Sequence, residues 1–334
     1  NEVLNDGATV NGNILGLVNS KTAPTKTDGS KEITALWSSG DAYMNLKTSS
    51  ISLTLGNNED YEYRTGDIFD KVTDSDGYKT SDQAVEYYTS DSDILDVAAA
   101  PASGYVYGKK AGTATLYVVN SANNAVGTVA VTVLSAEEAE SKKEIAAVQK
   151  SIDAGEKTDV SNYSTYAKSI KKNADGEDTV TIVEGKDKKT VKISTITIGD
   201  KTYTVTRIGA NAYKGSKKLT TLATGNNVKV IGKAAFASCK KLSKVTLGKA
   251  VAKIGANAFK NDTKLKTVAI NNKKLTTAKK VNKTAFKNAG KSVKTKVTVK
   301  KSIVSKKVFA KEKKIFKKAG LKTYGKKTTT YKRK

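Results

Sequence analysis

The residue types that most often carry chemistry are scarce or absent in this chain. It has no histidine and one cysteine, Cys239, among 334 residues. No Ser-His-Asp triad, Cys-His pair, imidazole proton shuttle or histidine-ligated zinc site can be assembled from that inventory. One thiol also excludes an intrachain disulfide and a thiolate-rich metal or iron–sulfur site, while leaving cytosolic and extracellular settings both open. What remains is a run of carboxylates, Asp67, Asp70, Asp74, Asp76 and Asp82, with Gly77 among them. Hard cations such as calcium want several carboxylate oxygens, and Asp74-Ser75-Asp76-Gly77 holds part of that pattern. The EF-hand register fails, because its first position would be Val72 and its last Gln83. Asp74 and Asp76 are therefore a weak calcium candidate inside what reads better as a solvated acidic loop. Paired carboxylates there would also suit acid–base work, but no pocket signature accompanies them. No cofactor is called for elsewhere.

The chain is instead rich in lysine. Basic residues number 59 and acidic ones 32, a net of +27. The excess is localised: residues 1–135 hold 9 basic and 17 acidic groups (−8), residues 136–190 hold 10 and 12 (−2), and residues 191–334 hold 40 and 3 (+37). A field of that size gathers polyanions at low salt. Only Arg64, Arg207 and Arg333 are arginines. Base readout and base stacking favour arginine and aromatic side chains, so specific nucleic-acid recognition is disfavoured. Lysine, a hydrated point charge, suits delocalised attraction to an anionic polymer (a wall polymer or acidic glycan), to lipid headgroups or to an acidic protein surface. Solubility alone is the plainer use of the same charge.

The elements that must hold these residues follow from pattern. A length of 334 suggests two domains, since single cores stop growing near about 250–300 residues. Residues 1–30, rich in Asn, Gly, Thr and Ser, read as a flexible tail or edge strand. From 31 to 134, short β-branched or aromatic runs (51–55, 85–88, 105–107, 114–119, 128–133) alternate with turn clusters, which predicts a β-sandwich. Residues 135–178 read as a helical and then polar linker. Ser135 and Glu138 make a capping box, Ile145, Val148 and Ile152 share a helical face, and Gly155 stops the helix. Strands are expected at 179–183, 190–198 and 201–208. No run of about 18 apolar residues exists, so no membrane span is predicted.

Residues 179–334 repeat themselves. Ile208-Gly209-x-x-Ala212-Tyr213 recurs as Ile231-Gly232-x-x-Ala235-Phe236, Ile254-Gly255-x-x-Ala258-Phe259 and Val281-Asn282-x-x-Ala285-Phe286, at spacings of 23, 23 and 27 residues. Ahead of the later copies lie Leu219-x-x-Leu222, Leu242-x-x-Val245-x-Leu247 and Leu265-x-x-Val268-x-Ile270. A period in the twenties with such a strand predicts a leucine-rich-repeat solenoid. The Ile and Phe columns would fill its interior, and the Gly/Gly/Gly/Asn column would mark a backbone position with φ > 0. A stripe of Val308, Phe309, Ile315, Phe316 and Ala319, ending at Gly320 and ringed by lysines, predicts a C-terminal helical cap.

These repeats resemble the BspA-like leucine-rich repeats of bacterial surface and secreted proteins, in which I-G-x-x-A-F precedes a polar or cysteine position. Ser216, Cys239, Asp262 and Ala289 fill that position here. The resemblance covers about 190–320, and its fourth copy departs at Val281-Asn282. Upstream, Tyr87-Tyr88-Thr89-Ser90-Asp91-Ser92-Asp93-Ile94-Leu95-Asp96-Val97 and Gly108-Lys109-Lys110-Ala111-Gly112-Thr113-Ala114-Thr115 resemble a bacterial immunoglobulin-like domain of group 2, over about 45–134. The pairing implies a mainly β, multidomain, extracytoplasmic protein of gut or oral anaerobes, an adhesin or surface scaffold whose shared motif positions are not catalytic. A start at Asn1 rather than methionine fits a removed signal peptide.

The expected binding face is the strand side of the array. With Ile196, Leu222, Val245, Val268 and Val297 turned inward, Thr195, Thr221, Lys244, Thr267 and Lys296 form one outward column and Thr197, Ala223, Thr246, Ala269 and Thr298 another. The expected function is non-enzymatic: secreted or cell-surface binding and adhesion through a basic array. A structural scaffold and a docking face for a specific host protein are the alternatives.

Overall fold

The computed structural model describes residues 9–10, 13–14, 43–46, 49–55, 62–64, 69–73, 85–98, 105–120, 126–174, 176–325 and 328–334. It divides into two compact units, Asn1–Lys143 and Glu144–Lys334. The five strand runs expected in the first unit fall in strands, except Leu55, which lies in the turn just past Ser50–Thr54. Val126–Leu134 pairs antiparallel with Gly112–Asn120 and parallel with Ser50–Thr54, and Val85–Thr89 completes a four-stranded sheet. A second sheet has Tyr105–Gly108 between Glu62–Arg64 and Leu95–Ala98. Alternation puts Ile51, Leu53, Leu116, Val129, Val131 and Val133 of the first sheet into one core with Leu95 and Val106 of the second. Of the acidic run, Asp67, Asp74, Asp76 and Asp82 lie outside the described residues, as does most of the expected tail.

In the second unit each repeat adds one parallel strand to each of two sheets. One wall is the ladder Ile182, Ile208, Ile231, Ile254 and, by an isolated bridge, Val281. The other is Thr190–Lys192, Thr221–Ala223, Lys244–Leu247, Thr267–Ile270, Thr295–Val299 and Thr329–Arg333, all parallel and in register. Between the walls, Tyr213, Phe236, Phe259 and Phe286 stack with ring centroids 5.1, 5.3 and 4.8 Å apart. The first α-helix, α1 (Ala136–Asp153), begins at the Ser135–Glu138 capping box, where each backbone amide is taken by the other's side chain. At the far end α2 (Lys306–Lys318) is capped by Ser305 and lays Phe316 against Phe286, 5.6 Å away and tilted.

Three expectations change. The residues expected to link the units contribute the strands Thr158–Asp159 and Ala167–Lys172, because Val160, Tyr166, Ala167 and Ile170 are buried with the repeat core. The run 190–198 is two strands in different sheets: Ser194 is held at the crossing by the Tyr166 hydroxyl, and Thr195–Ile198 pairs antiparallel with Lys201–Ile208. The repeat glycines do not have φ > 0, which falls instead at Asn211, Ala234 and Asn257 and at Gly215, Ser238, Asn261 and Asn288. Gly232 and Gly255 are required by close approach: a Cβ on Gly232 would lie 2.7 Å from the Gly209 carbonyl carbon, and one on Gly255 2.8 Å from that of Gly232. In the divergent fourth repeat, Asn282 holds the Thr284 hydroxyl, which accepts the Asn257 amide in place of a backbone carbonyl.

The central ring of the stack and this glycine contact give one paired expectation for denaturant unfolding. Phe259→Ala should lower stability by about 3–5 kcal/mol through the cavity it leaves. Gly232→Ala should cost about 1–3 kcal/mol by overpacking, although its φ is ordinary.

Candidate binding surface

Side chains alternate strictly along the six-stranded wall, so register alone decides what it shows to solvent. Leu222, Val245, Val268 and Val297 point inward and are buried. One outward column reads Thr190, Thr221, Lys244, Thr267, Lys296 and Thr330, the next Lys192, Ala223, Thr246, Ala269, Thr298 and Lys332. Thr221, Lys244, Thr246, Thr267, Lys296 and Thr298 are thus brought together. Thr195 and Thr197 are not, because their strand belongs to the opposite wall, where they face Thr204 and Thr202. Their places in the columns are taken by Thr190 and Lys192, and the far edge is extended by Thr330 and Lys332, from a polar strand, Thr329–Arg333, whose weak apolar pattern hides it.

Compensation for charge ends abruptly along the unit. Lys157, Lys168, Lys172 and Lys201 pair with Glu184, Asp153 or Asp178 at 2.7–3.6 Å. Beyond Lys201, no lysine among the described residues has an ion pair. Lys296 lies beside the Lys334 side chain, with Lys332 near, and this crowding of like groups holds it below the usual lysine value.

The two late carboxylates are buried and leave this surface unanswered. Asp262 accepts the Cys239 amide at 2.8 Å, while its other oxygen has no partner; burial holds the carboxyl well above the usual range. Cys239 donates its thiol to the Tyr213 carbonyl and is itself buried, which pushes it up to about 12. Glu312, on the inner side of α2, has neither oxygen hydrogen-bonded; burial pushes it up to about 7, and the Leu275 backbone amide draws it down by less. Both acids are missed by pattern reading; the one signal is that each stands among lysines without a partner in sequence. No group of three or more metal-ligating side chains occurs among the described residues.

The repeats are similar to those of known proteins. Residues 186–315 match the BspA type leucine rich repeat region, in 6 copies. Proteins with repeats of this type are generally surface proteins used in binding. A leucine-rich repeat protein from Bacteroides capillosus ATCC 29799 is 27% identical over 31% of this chain and 77% of its own, with a TM-score of 0.28. One from Bacteroides ovatus ATCC 8483 is 22% identical over 42% of this chain and 37% of its own, at 0.29. The T. pallidum leucine rich repeat protein is 16% identical over 48% and 94%, at 0.24. No curated protein matches the chain. No helix among the described residues is long and apolar enough to cross a membrane.

Two measurements follow from the buried groups. Iodoacetamide should label Cys239 many-fold more slowly in the native protein than in denaturant, since only the thiolate reacts. Glu312 keeps its proton to higher pH when folded than its ordinary value of 4.5, so its contribution is complete below pH 4.5 and lost as pH rises to about 7. Denaturation midpoints should fall across that window, and less steeply in Glu312→Gln.

Proposed function

We propose that this chain is a secreted or cell-surface binding protein that uses its basic BspA-type array to hold an anionic polymer or an acidic protein surface, and that it is not an enzyme. The observation that carries this is the uncompensated charge: residues 191–334 hold 40 basic and 3 acidic groups, and the two of those acids within the repeats and cap are buried. The array acts as a solenoid that displays lysine at fixed intervals, and attraction is multivalent and screened by salt. The first unit, read as a bacterial immunoglobulin-like sandwich, serves as spacer or second module.

The flat, in-register strand face supports a second reading, an adhesin that docks a specific host protein over Thr221, Lys244 and Thr267. The two separate in one experiment. Binding of the full chain to an array of polyanions and glycans should weaken at least about tenfold between about 50 and 200 mM salt. Salt-independent binding that is abolished by Thr221→Ala, Lys244→Ala and Thr267→Ala together would favour the specific dock instead. Absence of binding to any polyanion at low salt would leave a structural scaffold and end the proposal.

A further inference from the structure

The backbone sets part of this charge out in a line. In each repeat a tight turn joins the stacked aromatic ring to the strand wall. Leu242 donates to the Cys239 carbonyl at 3.0 Å, Leu265 to that of Asp262 at 3.1 Å and Val293 to that of Gly290 at 3.2 Å. In the first repeat Leu219 donates to the Ser216 hydroxyl at 3.2 Å. The two central residues of these turns are Lys217-Lys218, Lys240-Lys241, Thr263-Lys264 and Lys291-Ser292. All six lysines are exposed, and none has an ion pair among the described residues. Other outward columns are broken: Ala210, Lys233, Ala256, Lys283 is one, and Lys214, Ala237, Lys260, Lys287 another.

The turns are also rigid. Leu219, Leu242 and Leu265, the closing residues of the first three, are fully buried. The third and fourth turns are bonded to each other, Gly290 to the Asp262 carbonyl and Ser292 to that of Thr263, both at 3.0 Å, and the second is tied to the third where Cys239 donates to the Asp262 carboxylate. The Asp187 carboxylate beside the first turn is occupied by the Ser216 hydroxyl and the amides of Lys217 and Lys218. With hydrogen-bonded coils spaced about 4.8 Å apart, the four turns make a line of roughly 15 Å with at least one exposed lysine per coil. A ligand that answers every turn must run along the stacking axis and carry a negative charge in each short backbone repeat. Lysine meets phosphate and carboxylate alike as a point charge, so the line selects for charge spacing, which a phosphate in the backbone itself supplies in every repeat and carboxylates on alternate sugars do not.

We propose that the turn line of Lys217, Lys218, Lys240, Lys241, Lys264 and Lys291 is the docking site for a linear polymer with a phosphate in every backbone repeat, laid along the array. This rests on the reading of the array as a polyanion binder and assigns its site, direction and ligand chemistry.

The test uses the full chain, inorganic polyphosphate of a few tens of phosphates, and hyaluronan, whose carboxylates sit on alternate sugars. Two charge-matched variants are compared: the six turn lysines changed to Gln, and the exposed Lys214, Lys229, Lys233, Lys253, Lys283 and Lys287, which lie off both the turns and the six-stranded wall, changed to Gln. The turn variant should weaken polyphosphate binding at least about 30-fold at about 0.15 M salt. Its log–log salt slope should fall by about 4, at about 0.7 for each phosphate that a lysine no longer neutralises. The matched variant should lose less than about fivefold, and Lys→Arg at the six turn positions should keep binding. Equal losses in the two Gln variants, or loss in the Arg variant, would overturn the turn site while leaving polyanion binding intact. Tighter binding of hyaluronan, charge for charge, would overturn the phosphate assignment. Failure of the unaltered protein to bind either polymer at low salt would remove both this inference and the function beneath it.

Discussion

Successive coils of the array touch backbone to backbone, and that contact sets everything outside it. At Gly232 and Gly255 there is no room for a Cβ between one repeat and the preceding one. The same spacing lets the rings of Tyr213, Phe236, Phe259 and Phe286 stack almost parallel, with interplanar angles of 6–10°. Each stacked pair contributes about 0.5–1.5 kcal/mol beyond the area it buries. Because neither the glycine contact nor the ring stack tolerates slippage, the parallel strands stay in register, and register places each exposed lysine.

Charge is held in place at a cost that the interior bears. Lysines on adjacent coils repel one another, and among the described residues beyond Lys201 no carboxylate pairs with them. The two acids that could answer them, Asp262 and Glu312, are turned inward and held toward the neutral form by burial. An apolar core of stacked rings and buried Ile, Leu and Val supplies the stability that such a surface lacks. That arrangement suits a binding surface, whose potential falls if internal carboxylates neutralise it.

Much of this is legible in the residues alone, for a physical reason: a stacked repeat must place like side chains at like positions. The Ile, Gly and Phe columns, the capping box at Ser135 and the apolar stripe of α2 each depend on neighbours within one turn or one period. The features that pattern misses depend on distant partners. Nothing near residue 194 shows that the hydroxyl of Tyr166, 28 residues away, breaks the run 190–198 into strands of two sheets. Strand Thr329–Arg333 is polar apart from Tyr331, and Tyr331 and Arg333 anchor it to the distant Leu321 and Val304 carbonyls. The glycine column suggests a conformational demand but answers a steric one, since glycine permits both. The turn lysines are visible in the residues as charge but not as a line, which needs the stack.

The stack converts abundant lysine into one directional surface rather than a diffuse positive cloud. The most direct measurement of this is a map of backbone amide chemical-shift changes across residues 186–315 as polyphosphate is added. The shifts should concentrate on the turns at 216–219, 239–242, 262–265 and 290–293. Shifts spread evenly over every lysine-bearing segment, or confined to the strand face, would contradict it.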